Sequence, residues 1–293
     1  DGFKAIDGGG EAGFRRHDIS AQARLALPAG EGRVHGLRFR WGFADEDSHE
    51  TYLGLTAPDF LRAPYRRYSS SALDRMRWRH TKAQVEHEWQ LSDSALLRTT
   101  AYRHGFHRAW FRLDGFRSGA APSIADVMRD PAGSRETYYD ILRGAEDSAS
   151  LGGTAGDLTI ANNDRDFVSQ GIQARYADGF STGSAQHELE IAARVHYDRI
   201  RRDHLHHYYR MASGRLADTG ARNLSAKNED SANARTLSLQ DNVTLGRWVL
   251  TGMGRYENVS FANENSLTGV KTKRRDDVFI PGAGVLYRLT NTL

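Results

Sequence analysis

Residues 81–111 read TKAQVEHEWQLSDSALLRTTAYRHGFHRAWF, two strand-length segments joined by a short turn. Thr81, Ala83, Val85, His87, Trp89 and Leu91 alternate with Lys82, Gln84, Glu86, Glu88 and Gln90. A period of two belongs to a β-strand, here with one mostly apolar face and one wholly polar face. Ser92-Asp93-Ser94 supplies the short polar residues of a tight turn, and 95–111 returns as a second long strand. The faces of that second strand stay unassigned, because Leu96-Leu97 and Arg103-His104 interrupt the alternation. Connections of about 35 residues before this hairpin and about 50 after it far exceed the usual length of about 4–6.

The same grammar recurs along the chain. Ile19, Ala21, Ala23, Leu25 and Leu27 oppose Asp18, Ser20, Gln22 and Arg24; after a turn at 28–32, Leu37, Phe39, Trp41 and Phe43 oppose Arg38 and Arg40. Val168, Gln170, Ile172, Ala174 and Tyr176 form a strand, and 179–184 is a Gly/Ser/Thr turn. His187, Leu189, Ile191, Ala193, Val195 and Tyr197 then face away from Glu188, Glu190, Arg194, His196 and Asp198. Strands 235–245 and 248–259 flank Gly246-Arg247, a favoured two-residue hairpin connection, and 277–288 is the last strand. Long loops are expected at 45–80, 112–165 and 201–234, with helical turns near 124–128 and 138–142 and a further loop of about 15 residues before the last strand. Gly8-Gly9-Gly10 and Thr290-Asn291-Thr292 read as turn-like ends.

Composition bounds the function. Forty basic against thirty-seven acidic residues leave a net charge of +3, dispersed rather than gathered in a stripe, so the pI near 9.1 does not point to nucleic acid. The absence of cysteine excludes disulfides, thiolate metal sites and cysteine nucleophiles. No apolar run is long enough for a transmembrane helix, but a mean hydropathy of −0.63 is compatible with a membrane barrel, whose strands alternate. Asp1-Gly2-Phe3-Lys4 has neither the basic start nor the apolar centre of a signal peptide, so the chain is expected to begin inside a longer protein. About nine strands of about 10–14 residues exceed the 5–6 typical of soluble sheets. Short and long connections alternate, as in outer-membrane barrels, and aromatics such as Phe43, Trp89, Trp110, Tyr176, Tyr197, Trp248 and Tyr256 near strand ends suit interfacial girdles. The expected fold class is therefore all-β, an antiparallel up-and-down transmembrane β-barrel segment.

Gly254-Arg255-Tyr256-Glu257, following Trp248-Val249-Leu250-Thr251, resembles a strand of TonB-dependent outer-membrane siderophore receptors, and Ile280-Pro281-Gly282-Ala283-Gly284-Val285-Leu286-Tyr287 resembles the strand that follows it. Glu50-Thr51-Tyr52-Leu53-Gly54-Leu55-Thr56, with Pro64-Tyr65-Arg66-Arg67-Tyr68, is similar to an extracellular loop of the ferric-dicitrate-receptor-like branch. The resemblance implies a barrel of roughly 22 strands around an N-terminal plug. It also implies import of ferric siderophore complexes powered by a TonB-type inner-membrane partner, with outer-membrane lipid and lipopolysaccharide around the wall. On that reading, 1–293 is a partial barrel domain without plug or remaining strands, located in the outer membrane of a Gram-negative bacterium, and no covalently bound cofactor is expected.

Ligand capture favours the loop side. Arginine forks bind carboxylates bidentately, which makes Arg62, Arg66 and Arg67, with Tyr65 and Tyr68, candidates for an anionic ferric chelate. The bland alternative pairs those arginines with lipopolysaccharide phosphates or with Asp45, Glu46, Asp47 and Glu50. Arg201, Arg202 and His204 form a second candidate cluster, with His206 and His207 nearby; no carboxylate or cysteine pattern completes a metal set, which favours a solvated or lumen-lining role. Asp45, Asp47 and Glu50 lack the spacing and central glycine of a calcium loop. Glu86, Glu88, Glu190, Arg194, Arg255 and Glu257 are expected to pair across the lumen-facing wall or with a plug. No phosphate loop, G-x-S-x-G elbow, H-E-x-x-H or Ser/His/Asp set is visible, so the chain is read as a non-enzyme; a passive porin and a barrel-borne hydrolase are the alternatives.

Overall fold

The computed structural model describes residues 5–6, 12–29 and 33–290. The Gly8-Gly9-Gly10 and Thr290-Asn291-Thr292 readings, and the middle of the 28–32 turn, fall wholly or partly outside them. In chain order the elements are β1 (Ala5–Ile6), β2 (Phe14–Ala26), β3 (His35–Ser48), α1 (Ala57–Arg62), β4 (Arg66–Arg67), β5 (Arg75–Gln90), β6 (Leu96–Phe116), α2 (Ile124–Arg129), α3 (Glu136–Arg143), β7 (Leu158–Thr182), β8 (Ala185–Ala212), β9 (Arg215–Leu245), β10 (Trp248–Asn265) and β11 (Lys271–Tyr287). β1 and β4 pair in parallel as a separate two-stranded bridge. The other nine form one antiparallel meander in which each strand pairs with the next, ending on edges β2 and β11.

Register separates the two faces. Val85 lies opposite Phe39 and Ala101, and Trp89 opposite His35 and Leu97. This assigns β6, the strand left open above: Leu97, Thr99, Ala101 and Arg103 share the apolar face, and Arg98, Thr100, Tyr102 and His104 the polar one. Among the described residues nothing covers the apolar face. Ile19 is 56% exposed, Val195 55% and Leu237 56%, values that a two-layer sandwich with a dry interior would not permit.

The dry core lies elsewhere, under the connection between β6 and β7. Val127, Ile141, Leu142, Leu158 and Ile160 are fully buried, with Leu113 and Met211 against them. The helical turns expected there are α2 and α3. Ser123 caps α2 by accepting from the Asp126 N–H at 3.1 Å, and α3 ends at Gly144 with φ of 81°. Thr56 caps α1 and Pro58 occupies its first turn.

Three expectations need correction. The strands are longer than expected, reaching 28 residues in β8 and 31 in β9. The segment 201–234 is not a loop: β8 and β9 continue as a tall hairpin to a turn at Ser213-Gly214. Similarly, the loop before the last strand shrinks to 266–270. These stretches lack apolar alternation because, outside the tip where Met211 joins the dry core, their side chains are mostly polar and exposed or half-buried. Polar cross-strand pairs hold them instead, among them Arg201–Glu229 at 3.1 Å and the Arg202–Asp230 pair. Long excursions at 49–74 and 117–157 do share one end of the sheet with this tip, while the turns at 91–95, Gly183-Ser184 and Gly246-Arg247 lie at the other.

Candidate functional site

On the polar face, three consecutive strands carry arginine at one register level. Arg108 of β6 lies opposite Arg165 of β7, which lies opposite Arg202 of β8. Neighbouring strands are about 4.8 Å apart, so the three guanidinium stems form a stripe about 10 Å wide. Like charges placed directly opposite repel, and a row of three is a structural cost. Compensation is partial. Arg202 pairs with Asp230, but Arg165 Nε reaches only His204 Nε2, at 3.1 Å. Among the described residues neither Arg108 nor Arg165 has a carboxylate partner, and buried Arg108 Nε has no acceptor.

Aromatic side chains frame the stripe. Trp78 stands opposite Arg108 and is covered by Arg16 at 5.4 Å. Arg108 lies over Trp110 at 5.8 Å; Arg112 lies over the same ring at 5.2 Å and over Tyr52 at 5.0 Å. Arg112 is charge-balanced by Asp114 at 3.1 Å. The site is therefore a guanidinium row with unsatisfied donors and aromatic walls, suited to bidentate capture of carboxylate oxygens.

Below it the polar face is self-paired. Arg38 donates to Glu86 at 2.8 Å, Arg98 to Glu88 at 3.1 Å, Arg255 to Glu257 at 2.7 Å, and Arg175 pairs with Glu190. Arg194 instead donates to Tyr102 Oη at 2.7 Å, and that hydroxyl also bonds His196 Nδ1 at 2.7 Å. Tyr102 can reach across β7 only because Gly171 lies between: a Cβ there would sit 2.7 Å from both Tyr102 Oη and the Val195 carbonyl.

The residues singled out from sequence divide. Arg67 and Tyr68 are buried and hold the loop together. Arg67 donates to the His49 carbonyl at 2.6 Å and the Ser71 carbonyl at 2.8 Å, and Tyr68 Oη donates to Asp59 Oδ2 at 2.7 Å. Arg66 reaches Asp59 at 3.4 Å and Arg62 reaches it at 3.9 Å. Asp59 is the node of this loop, because Tyr139 of α3 also donates to it and ties the two long excursions together. Burial pushes Asp59 up, but the Tyr139 and Tyr68 hydroxyls with Arg66 and Arg62 outweigh it and hold the carboxyl below its usual range. Arg62 and Tyr65 remain exposed at the surface. The acidic run pairs elsewhere, Asp47 with Arg75 and Asp45 with His17.

Of the second cluster, Arg202 and His204 join the stripe, whereas Arg201 points to the opposite face and pairs with Glu229. His206 follows His204, and His207 lies on the other face against Phe111. Sequence reasoning missed Arg108, Arg112, Arg165, Trp78 and Trp110. Arg165 was countable, since it and Arg202 are equally distant from the Gly183-Ser184 turn.

Residues 22–293 match the family described as "TonB dependent receptor-like, beta-barrel". The chain belongs to that family. Among solved structures, the ferric citrate transporter FecA in its unliganded form superposes with a TM-score of 0.66 at 17% identity, covering 96% of this chain and 34% of FecA. The siderophore receptor PiuA from Acinetobacter baumannii gives 0.64 at 14% identity, over 98% of this chain and 42% of PiuA. The ferric-catecholate import receptor Fiu from E. coli K12 gives 0.59 at 14%, over 98% of this chain and 43% of Fiu. The chain thus spans well under half the length of these structures, and the likeness shows a shared fold. In a TonB-dependent receptor barrel the uncovered apolar face and the self-paired polar face are the two sides of one wall, which accounts for exposed Val195 and Leu237 on one and paired Glu86 and Glu88 on the other.

Proposed function

We propose that this wall belongs to a Gram-negative outer-membrane receptor that imports an anionic ferric siderophore complex, energised through a TonB-type coupling protein and working with a plug domain of the same receptor. The apolar face meets lipid and lipopolysaccharide, and the polar face lines the lumen. The observation that carries the ligand assignment is the Arg108–Arg165–Arg202 row, whose repulsion an anionic guest relieves. A carboxylate-rich chelate of the ferric citrate kind fits it, with Arg112 and His204 alongside and exposed Arg62 and Tyr65 as outer contacts.

The test is titration of ferric citrate into the full-length receptor and its Arg108→Ala/Arg165→Ala variant. Each charged hydrogen bond contributes about 1.5–3 kcal/mol, so affinity should fall about a hundredfold or more while the barrel still assembles. Equal affinity of both proteins for ferric citrate would remove the row from the site.

A further inference from the structure

One register step from the arginines, toward the short turns, the same three strands carry Phe106, Phe167 and Ile200, each directly opposite the next. The step along a strand is about 6.7 Å, so each apolar side chain stands one row below one arginine. Phe106 and Phe167 are in ring contact at 5.7 Å, and Phe261, 45% exposed, borders the same hollow, a cavity of about 710 Å³. Polar side chains line it as well, Asp198, Asp230, Asn263 and Arg274 among them. These side chains take no part in the dry core beneath α2 and α3, which is built from Leu113, Val127, Ile141, Leu142, Leu158, Ile160 and Met211. They open onto a face whose lower rows are occupied by paired charges, where an aromatic row gains nothing from water.

Resting on the uptake reading above, we infer that the ligand is amphiphilic: a ferric chelate whose carboxylate end meets Arg108, Arg165 and Arg202 and whose aliphatic or aryl arm enters the Phe106–Phe167–Ile200–Phe261 hollow. Charge and greasiness are stacked one row apart on three neighbouring strands, so one rigid guest of both characters satisfies both rows, whereas a wholly polar chelate leaves the lower row wet. The hollow is of a size that holds a small organic arm.

Two probes separate the possibilities in the full-length receptor: ferric citrate, and the ferric complex of citrate bearing one hexylamide arm. The wild type should bind the hexylamide complex at least tenfold tighter. Phe167→Ser and, separately, Phe106→Ser should erase that preference while leaving ferric citrate affinity unchanged, and Arg165→Ala should weaken both complexes together. Equal binding of the two probes by the wild type, with weakening of both in Arg165→Ala, would overturn the amphiphile inference and leave the uptake reading intact. Loss of both affinities in the Phe→Ser variants would assign the aromatic row to internal packing and overturn it as well. Binding of neither probe by the wild type would overturn both readings.

Discussion

Asp74 is a carboxyl held at the seam between the two long excursions. It accepts from the Leu113 N–H at 2.8 Å and the Thr51 hydroxyl at 2.8 Å, and burial pushes it up to about 6 against the pull of those donors and of Arg67 and Arg112. Because its folded value lies above 3.8, the closed cap holds this proton more tightly than the open one. The contribution is complete below pH 3.8 and disappears as pH rises through about 6. Asp59 behaves in the opposite sense, contributing above 3.8 and losing its share as pH falls further. Asp74→Asn should therefore stabilise the cap at pH 7 by an amount on the order of 2 kcal/mol relative to its effect at pH 4. Amide exchange at Leu113 and along α3, corrected for intrinsic rates, measures this, and parallel pH profiles for the two proteins would reject the assignment. Arg67→Ala strands two carbonyls and should cost the cap about 1–3 kcal/mol, with ferric citrate affinity unchanged in titration of the folded receptor. At this scale the sequence was a poor guide to which of the loop arginines and tyrosines are buried. Arg67 and Tyr68 look like binders beside Arg62 and Tyr65, and only burial reveals them as internal ties. Arg108 cannot be counted against Arg165, because the excursion between them is long and a bulge at Leu113/Gly115 shifts the register.

The strands themselves were legible wherever one face avoids water, since Ile19 to Leu25 and His187 to Tyr197 must alternate to keep their apolar side chains together. They became illegible beyond that band. In β9 the run 223–230 offers only Leu224 and Ala226 as apolar residues before Lys227, Asn228, Glu229 and Asp230 end the alternation, and its pairing with β8 rests largely on ladder bonds and ion pairs. Val85→Arg tests the facing directly: at 38% exposure on the apolar face near mid-strand it should cost about 2–4 kcal/mol of stability in lipid vesicles. Indifference of the urea midpoint to that change would reverse the two faces. Gly171→Ala should cost about 1–3 kcal/mol, since its methyl meets Tyr102 Oη and the Val195 carbonyl at 2.7 Å, and Tyr102 would lose its reach to Arg194 and His196. The same urea series reads it, and a midpoint equal to wild type would show that β7 has room to spare at this level.

For the molecule as a whole, the sheet has two free borders. β2 and β11 each pair on one side only, and among the described residues no ladder joins them. Unpaired strand edges are templates for further pairing. The outward-pointing amides of β2 and β11, those not bonded to β3 and β10, should exchange freely in a 1–293 polypeptide and become protected in the full-length receptor; equal protection in both would mean that the nine strands close by themselves. At the opposite end from the short turns, three segments meet almost without side chains. A Cβ on Gly214 would lie 3.2 Å from the Gly144 carbonyl, and one on Gly144 would lie 2.4 Å from Ser69 Oγ. The hairpin tip is bolted down further, as the Ser213 N–H donates to Asp147 at 2.6 Å and the Met211 N–H to Ser148 at 2.9 Å. The excursions and the hairpin tip consequently share one joined cap, in which no one segment can be displaced without breaking contacts to its neighbours.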